Sequence, residues 1–204
     1  MKITVFGATG RTGRALLAAA AEAGLPTTAY VRDQARLGDA VADRVVVGSV
    51  FDPVSLRASL AGAESAVVAF SLGRDRRTPL YSRGTEMIID AMRAEGVRRL
   101  LVVSESAYGE HVAGVIPWIL AAGYRLVAGP AIRERRVQDV LVRASGLDWT
   151  FVRPVRIVAG PPRGVRAGIM TPSRTSSQTT YEDVAGLILR ALPDTATHGR
   201  NLYP

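Results

Sequence analysis

Residues 5–14 read V-F-G-A-T-G-R-T-G-R, with three glycines, Gly7, Gly10 and Gly13, at a spacing of three. They follow the apolar residues Ile3, Val5 and Phe6 and precede a run rich in alanine and leucine. This is the pattern of a strand turning sharply into a helix. At the positive end of such a helix a phosphate rests against backbone N–H groups. A glycine-rich turn reads as a dinucleotide fingerprint only between a strand and a helix, and this one meets that condition. The spacing is Gly-x-x-Gly-x-x-Gly rather than Gly-x-Gly-x-x-Gly, with the same physical logic. Gly7 permits the tight turn, Gly10 lets a pyrophosphate approach the backbone, and Gly13 lets helix and strand pack closely. Thr9, Arg11 and Thr12 complete the candidate cofactor-binding turn.

Outward from this stretch, short apolar runs alternate with helical patterns. Strands are expected at Ile3–Phe6, Thr27–Val31, Arg44–Val47, Ala66–Phe70, Leu100–Val103 and Trp149–Val152, with a short edge strand at Asn201–Tyr203. Helices are expected at Arg11–Ala23, Pro53–Leu60, Thr78–Glu95, Ala131–Ala144 and Glu182–Leu192, stopped by Gly24 with Pro26, Gly96 and Gly146. Asp52 and Pro53 suit a helix N-cap and first position. Nearly continuous apolar strands separated by helices predict a doubly wound parallel α/β sheet of Rossmann type, one domain over residues 1–204. Ligands of such sheets bind beyond the C-terminal strand ends, where strand order reverses. Loops 104–130 and 154–180 are therefore expected to form the substrate mouth.

The strand ends carry the chemistry. Strand two ends Y-V-R-D-Q-A-R, residues 30–36. Arginine at this tip accommodates the 2′-phosphate of NADP, whereas an acid selects the ribose hydroxyl of NAD. Arg32 takes the tip and Arg36 lies about one helical turn on, so NADPH is expected over NADH. Asp33 would favour NAD if it pointed inward; its expected role is to cap the short helix. Ser49 and Val50 follow strand three beside the adenine. Leu72, Gly73 and Arg74 follow strand four along the ribose and pyrophosphate. Ser104 and Ser106 follow strand five near the nicotinamide, and Pro154 turns the chain out after strand six.

Composition limits the alternatives. Arginine and lysine number 26 against 18 acids, a net charge of +8, with Lys2 the only lysine. The arginines are spread along the chain, and the densest run, I-R-E-R-R-V-Q-D, contains acids, so the basic surface is read as attracting an anionic cofactor rather than nucleic acid. There is no cysteine and there are two histidines, which excludes disulfide and thiolate chemistry and leaves little for a metal site; His111 and His198 read as surface residues. The initial apolar run is too short for a secretory signal, and no run reaches the roughly 18 apolar residues of a membrane helix. A cytoplasmic protein, monomer or homodimer, is expected.

The runs G-A-T-G-R-T-G, V-R-D, V-V-V-G-S-V and S-G-L-D-W-T-F-V-R-P resemble the atypical short-chain dehydrogenases/reductases with a single NAD(P)H-binding domain. Within them, order and length are most similar to biliverdin-IXβ reductase/flavin reductase, the NmrA-like regulators being more distant. The resemblance spans Lys2 to Tyr203. It implies an NADPH-dependent reductase passing hydride to flavins, tetrapyrroles or other conjugated acceptors. It places Ser106, in E-S-A-Y, beside nicotinamide and substrate, with Tyr108 as an aromatic wall. Arg156 stands where that family has a histidine, and a permanent cation there suits an acceptor carrying a carboxylate or phosphate.

The ordinary Tyr-x-x-x-Lys pair is excluded, because Lys2 is the only lysine. Reduction then relies on hydride delivery and orientation, with the proton from solvent, Ser106 or Tyr108. The segment 111–130, with Trp118 and Tyr124, reads equally as a substrate lid or as a helix packed in an interface. Two other readings stay open: an NADP(H)-binding redox sensor without turnover, and a biosynthetic cyclase or epimerase.

Overall fold

Strand β1 (Ile3–Phe6) is buried on both faces, as a central parallel strand must be, its one polar side chain, Thr4, donating to the Ser59 carbonyl (2.8 Å). The computed structural model describes residues 1–70, 79–104, 129, 131–164, 168–169 and 178–204. After β1 come α1 (Arg11–Glu22), β2 (Thr27–Val31), β3 (Arg44–Val47), α2 (Pro53–Leu60) and β4 (Ser65–Val68). The second half supplies α3 (Thr85–Ala94), β5 (Arg99–Val103), the helix α4 over 131–143 and β6 (Asp148–Val152). Beyond it lie β7 (Arg156–Val158), β8 (Gly168–Ile169), β9 (Gln178–Thr180), α5 (Tyr181–Ala191) and β10 (Arg200–Tyr203).

The main sheet runs β3-β2-β1-β4-β5-β6-β10-β8, parallel from β3 through β10, with β8 antiparallel at the edge. From β1 the chain winds outward to β2 and β3, then returns to the other side through β4, β5 and β6. The reversal falls between β1 and β4, which pair in register from Ile3↔Ser65 to Phe6↔Val68. That is the crevice where a doubly wound sheet binds its ligand.

Two apolar layers sandwich the sheet. On one face Leu16 and Leu17 of α1 meet Val184, Leu187 and Ile188 of α5, against Val5 and Val67. On the other, Leu56, Leu60, Ile88, Met92 and Val142 pack on Phe6, Val68 and Phe151. Each such side chain contributes about 1.5–3 kcal/mol on burial, so both layers hold β1 and its C-terminal turn in place.

Several boundaries differ from the expectation. The helix expected over Thr78–Glu95 begins as a π-helical turn, Leu80–Gly84, before α3. Gly84 packs there within reach of Val50, Leu80 and Phe70. Strand β4 stops at Val68 because Ala69 and Phe70 leave the ladder to pass over the β1–α1 turn. The C-terminal strand is not an edge strand: β10 lies between β6 and β8, pairing Arg200↔Thr150 and Leu202↔Ile169. The stretch expected as loop 154–180 contains a separate parallel pair, β7 with β9, in register from Arg156↔Gln178 to Val158↔Thr180.

Candidate functional site

The β1–α1 turn is built by close backbone approach. Gly7 has φ +86°, and a Cβ on it would stand 2.5 Å from the carbonyl oxygen of Ala69. A Cβ on Gly13 would collide with the Gly7 carbonyl, so the first turn of α1 lies directly on the end of β1. Gly10 donates its N–H to Gly7 O (3.0 Å) and occupies the N-cap of α1 with no side-chain cap. A helix opening of this kind leaves first-turn N–H groups to another acceptor. Thr9 and Thr12 are half-buried beside it and Arg11 is exposed. Arg11 Nη1 donates to Tyr181 Oη (3.3 Å), and the guanidinium lies 5.8 Å from that ring's centroid, so the first residue of α5 orients it.

At the end of β2, Arg32 is exposed. The Asp33 carboxylate accepts from Ala35 N (3.0 Å) and caps the 3-10 turn Gln34–Leu37, the expected capping role. Arg36 lies exposed on that turn. At the end of β3, Tyr30 Oη donates to the carbonyl of Ser49 (2.7 Å) and lies 2.7 Å from Ser55 Oγ. Burial pushes the Tyr30 phenol up, so it stays a neutral donor. A Cβ on Gly48 would collide with Ser55 Oγ and come within 2.6 Å of Tyr30 Oη. Val50, nearly buried, completes this wall. Asp52 caps α2 through Val54 N (3.1 Å) and Ser55 N (3.3 Å). The Ser55 hydroxyl and these N–H groups hold its carboxyl below the usual range.

At the ends of β5 and β6, Ser104 is fully buried, and its Oγ accepts from Arg153 Nη1 (3.4 Å). Arg153 is only 2% exposed. It pairs with Asp139 of α4 (Nη2 to Oδ2, 2.5 Å), donates to Asn201 Oδ1 (3.2 Å) and stacks 4.3 Å from the Phe151 ring centroid. Leaving the buried Arg153 cation without its partly buried Asp139 partner is costly, so this pair fixes α4 to the strand end beside Ser104. Pro154 is buried where the chain leaves the sheet, and Arg156 is exposed on β7. Ser106, Tyr108, Leu72, Gly73 and Arg74 lie outside the described residues, as does the 111–128 segment with His111, Trp118 and Tyr124.

The structure thus gathers Gly7, Thr9, Gly10, Arg11, Thr12 and Gly13 in one turn, with Arg32, Arg36, Ser49, Val50 and Ser104 at neighbouring strand ends. Sequence reasoning missed Tyr30, Tyr181, Asp139 and Arg153. For Arg153 a signal existed: an arginine ending an apolar strand, before proline, in F-V-R-P. Tyr30 and Tyr181 act through partners at least 19 residues away and leave no local pattern. Asp183 was also missed. Its carboxylate accepts from Thr180 Oγ1 (2.9 Å), Arg163 N (3.0 Å) and Gly164 N (3.0 Å), tying the segment after β7 to the start of α5.

A groove of about 480 Å³ lined by Pro53, Val54, Arg57, Ala58, Ala61 and Glu95 runs along α2. It offers only the Arg57–Glu95 pair (2.8 Å) and lies away from the strand ends. Among the described residues no cluster of three His, Asp or Glu is placed to hold a metal ion, and no helix is long and apolar enough to cross a membrane.

A glycine turn at the crossover of a doubly wound sheet, a helix N-terminus without a side-chain cap and arginines at the end of β2 fit a dinucleotide, and define a nucleotide-binding Rossmann protein. The chain belongs to the NAD(P)H-binding family, whose model matches residues 7–195. It is 30% identical over 208 aligned positions to the (4-alkanoyl-5-oxo-2,5-dihydrofuran-3-yl)methyl phosphate reductase of Streptomyces griseus, covering 97% of this chain and 65% of that one. The curated relatives it matches are longer, and the chain spans 61%, 38% and 65% of three of them. Its fold is shared with a short-chain dehydrogenase/reductase from Veillonella parvula solved with NADP (TM-score 0.81, 19% identity, 99% of this chain and 93% of that one). It is also shared with ChuY, an anaerobillin reductase from Escherichia coli O157:H7 (TM-score 0.80, 20% identity, 100% and 96%).

Proposed function

We propose that the protein is an NADPH-dependent reductase delivering hydride to a conjugated small-molecule acceptor that carries an anionic group, with a flavin such as FMN as one such acceptor. The observation that carries the reading is the arrangement at the end of β2. Asp33 is spent on capping its own turn, while Arg32 and Arg36 remain exposed on either side of it. The acid that would select NAD is engaged by the backbone of its own turn, and two exposed cations would serve the 2′-phosphate. The Gly7–Gly13 turn would hold the pyrophosphate, with Arg11 steadied by Tyr181. Ser49 and Val50 would line the adenine, and Ser104 and Pro154 the nicotinamide end, with Leu72, Gly73 and Arg74 along the ribose.

NADPH supplies the hydride when bound; the chain's residues orient the acceptor and supply charge. Ser106 would hydrogen-bond the acceptor, Tyr108 would wall its ring, and Arg156 would pair with its carboxylate or phosphate. The Streptomyces griseus relative, by its name, reduces an unsaturated furanone phosphate, which is conjugated and anionic. That supports an acceptor class wider than flavins. No lysine is available to lower a tyrosine's pKa, so an extended conjugated acceptor suits this chain better than an isolated ketone.

The test is the loss of NADPH absorbance on adding FMN or riboflavin, with NADH in parallel. Oxidation of NADPH faster than NADH, and FMN reduced in preference to riboflavin, are the expected results. NADPH binding without oxidation by any acceptor would overturn the reductase reading in favour of a redox sensor.

A further inference from the structure

We infer that Arg14, on the first turn of α1, is a positioning residue that sets selectivity for 2′-phosphorylated adenosine by bracing the turn that carries Arg36. The inference rests on the NADPH reading above. Arg14 is exposed, and an exposed helix arginine ordinarily keeps its side chain in solvent, because ordering it costs about 2 kcal/mol of rotamer entropy. Here it is held by two hydrogen bonds. Its Nε donates to the carbonyl of Thr9 in the glycine turn (3.2 Å), and its Nη2 donates to the carbonyl of Arg36 (2.6 Å). It also lies against Gly38, where φ is +61° and a Cβ would stand 3.3 Å from Nη1. One planar guanidinium thus joins the turn after β1 to the turn after β2, reaching an acceptor 22 residues along the chain.

Both acceptors are backbone carbonyls, and among the described residues no carboxylate pairs with Arg14. Its positive charge is therefore unneutralised between the candidate pyrophosphate and 2′-phosphate positions. The two turns differ in their need for it. The glycine turn is already fixed by Gly10 N to Gly7 O and by contact of Gly13 with the end of β1. The Gln34–Leu37 turn has four residues, held by the Asp33 cap, by Arg36 N to Asp33 O (3.2 Å), by Leu37 buried in the core and, on its exposed side, by the Arg14 brace. Loss of Arg14 removes the tie on the Arg36 carbonyl and loosens the exposed side of the second turn, which Leu37 still anchors, more than it loosens the first.

The test is calorimetric binding of 2′,5′-ADP and of 5′-ADP to the wild type, Arg14→Ala, Arg14→Lys and the double variant R32A/R36A. Arg14→Ala is expected to weaken 2′,5′-ADP about tenfold and 5′-ADP by less than about twofold, the scale of one charge-assisted hydrogen bond. Retained 5′-ADP binding also shows that the variant is folded. Arg14→Lys keeps the charge but offers a single ammonium to two carbonyls, and is expected within about threefold of Arg14→Ala. Full recovery by lysine would overturn the brace. So would an unchanged ratio of the two affinities in Arg14→Ala when R32A/R36A lowers that ratio. An unchanged ratio in R32A/R36A itself would remove the NADPH reading, and this inference with it.

Discussion

Gly13 and Gly48 have no side chain, and close neighbours fill the space one would take. At Gly13 the atoms a Cβ would strike are the Gly7 carbonyl and the backbone of Ala8, which have no side-chain freedom to retreat. At Gly48 the obstacles are the Ser55 Oγ and Tyr30 Oη hydroxyls, which are tied to each other, and the Ser55 Cβ at 2.5 Å, which the α2 backbone holds in place. Gly13→Ala is therefore expected to cost about 1–3 kcal/mol, as overpacking does. For a chain of this size that is roughly 2–4 °C of Tm per kcal/mol. It should also weaken NADPH and NADH alike, because it shifts the pyrophosphate turn. Gly48→Ala should cost less in a Tyr30→Phe background than in the wild type, since the hydroxyl it meets is gone. Thermal melts of the single and double variants measure that coupling, and additive losses would disprove a shared clash.

At the scale of elements, α5 begins with a capping box in which Thr180 and Asp183 bond each other's backbone. Burial alone would raise the Asp183 carboxyl, but the Arg163 N–H, the Thr180 hydroxyl and N–H and the Gly164 N–H outweigh it and hold it below the usual range. A carboxyl depressed in the folded state stabilises it above the unfolded value, about 3.9, and loses that contribution as pH falls through the folded value. Asp183→Asn should lower Tm at pH 7, with the difference from the wild type shrinking below about pH 4. A difference constant from pH 7 to pH 3 would show that the carboxylate's charge is not what clamps the 163–164 segment to α5. Such clamps mark where sequence reading stopped. The helices and parallel strands were legible from local signals: Asp52-Pro53, Gly24, Gly96 and unbroken apolar runs. The glycine turn was legible because its chemistry is contained in ten consecutive residues. The inner place of β10, the β7–β9 pair and the Arg153–Asp139 contact depend on partners 14 to about 50 residues away, which no local pattern encodes. The π-helical opening of the helix before α3 had no sequence signal, and the structure offers no physical cause beyond the close packing of Gly84.

For the molecule as a whole, the net charge of +8 is carried almost entirely by arginine. Arg11, Arg14, Arg32 and Arg36 are all exposed around one end of the sheet, on elements that the two apolar layers hold rigid. Exposed charges of one sign around a concave site raise the rate at which an oppositely charged ligand arrives, and salt screens them over about 8 Å at physiological ionic strength. NADPH carries up to about two more negative charges than NADH, from its 2′-phosphate. Its association rate should therefore fall more steeply than that of NADH between about 0.01 and 0.15 M salt, while the dissociation rates change less. Stopped-flow fluorescence of the two cofactors reads both rates. In R32A/R36A the two salt slopes should converge, because the charges that distinguish the cofactors are then gone. Parallel slopes in the wild type would mean that the basic surface serves another anion, leaving the arginines after β2 to act only once the cofactor has docked.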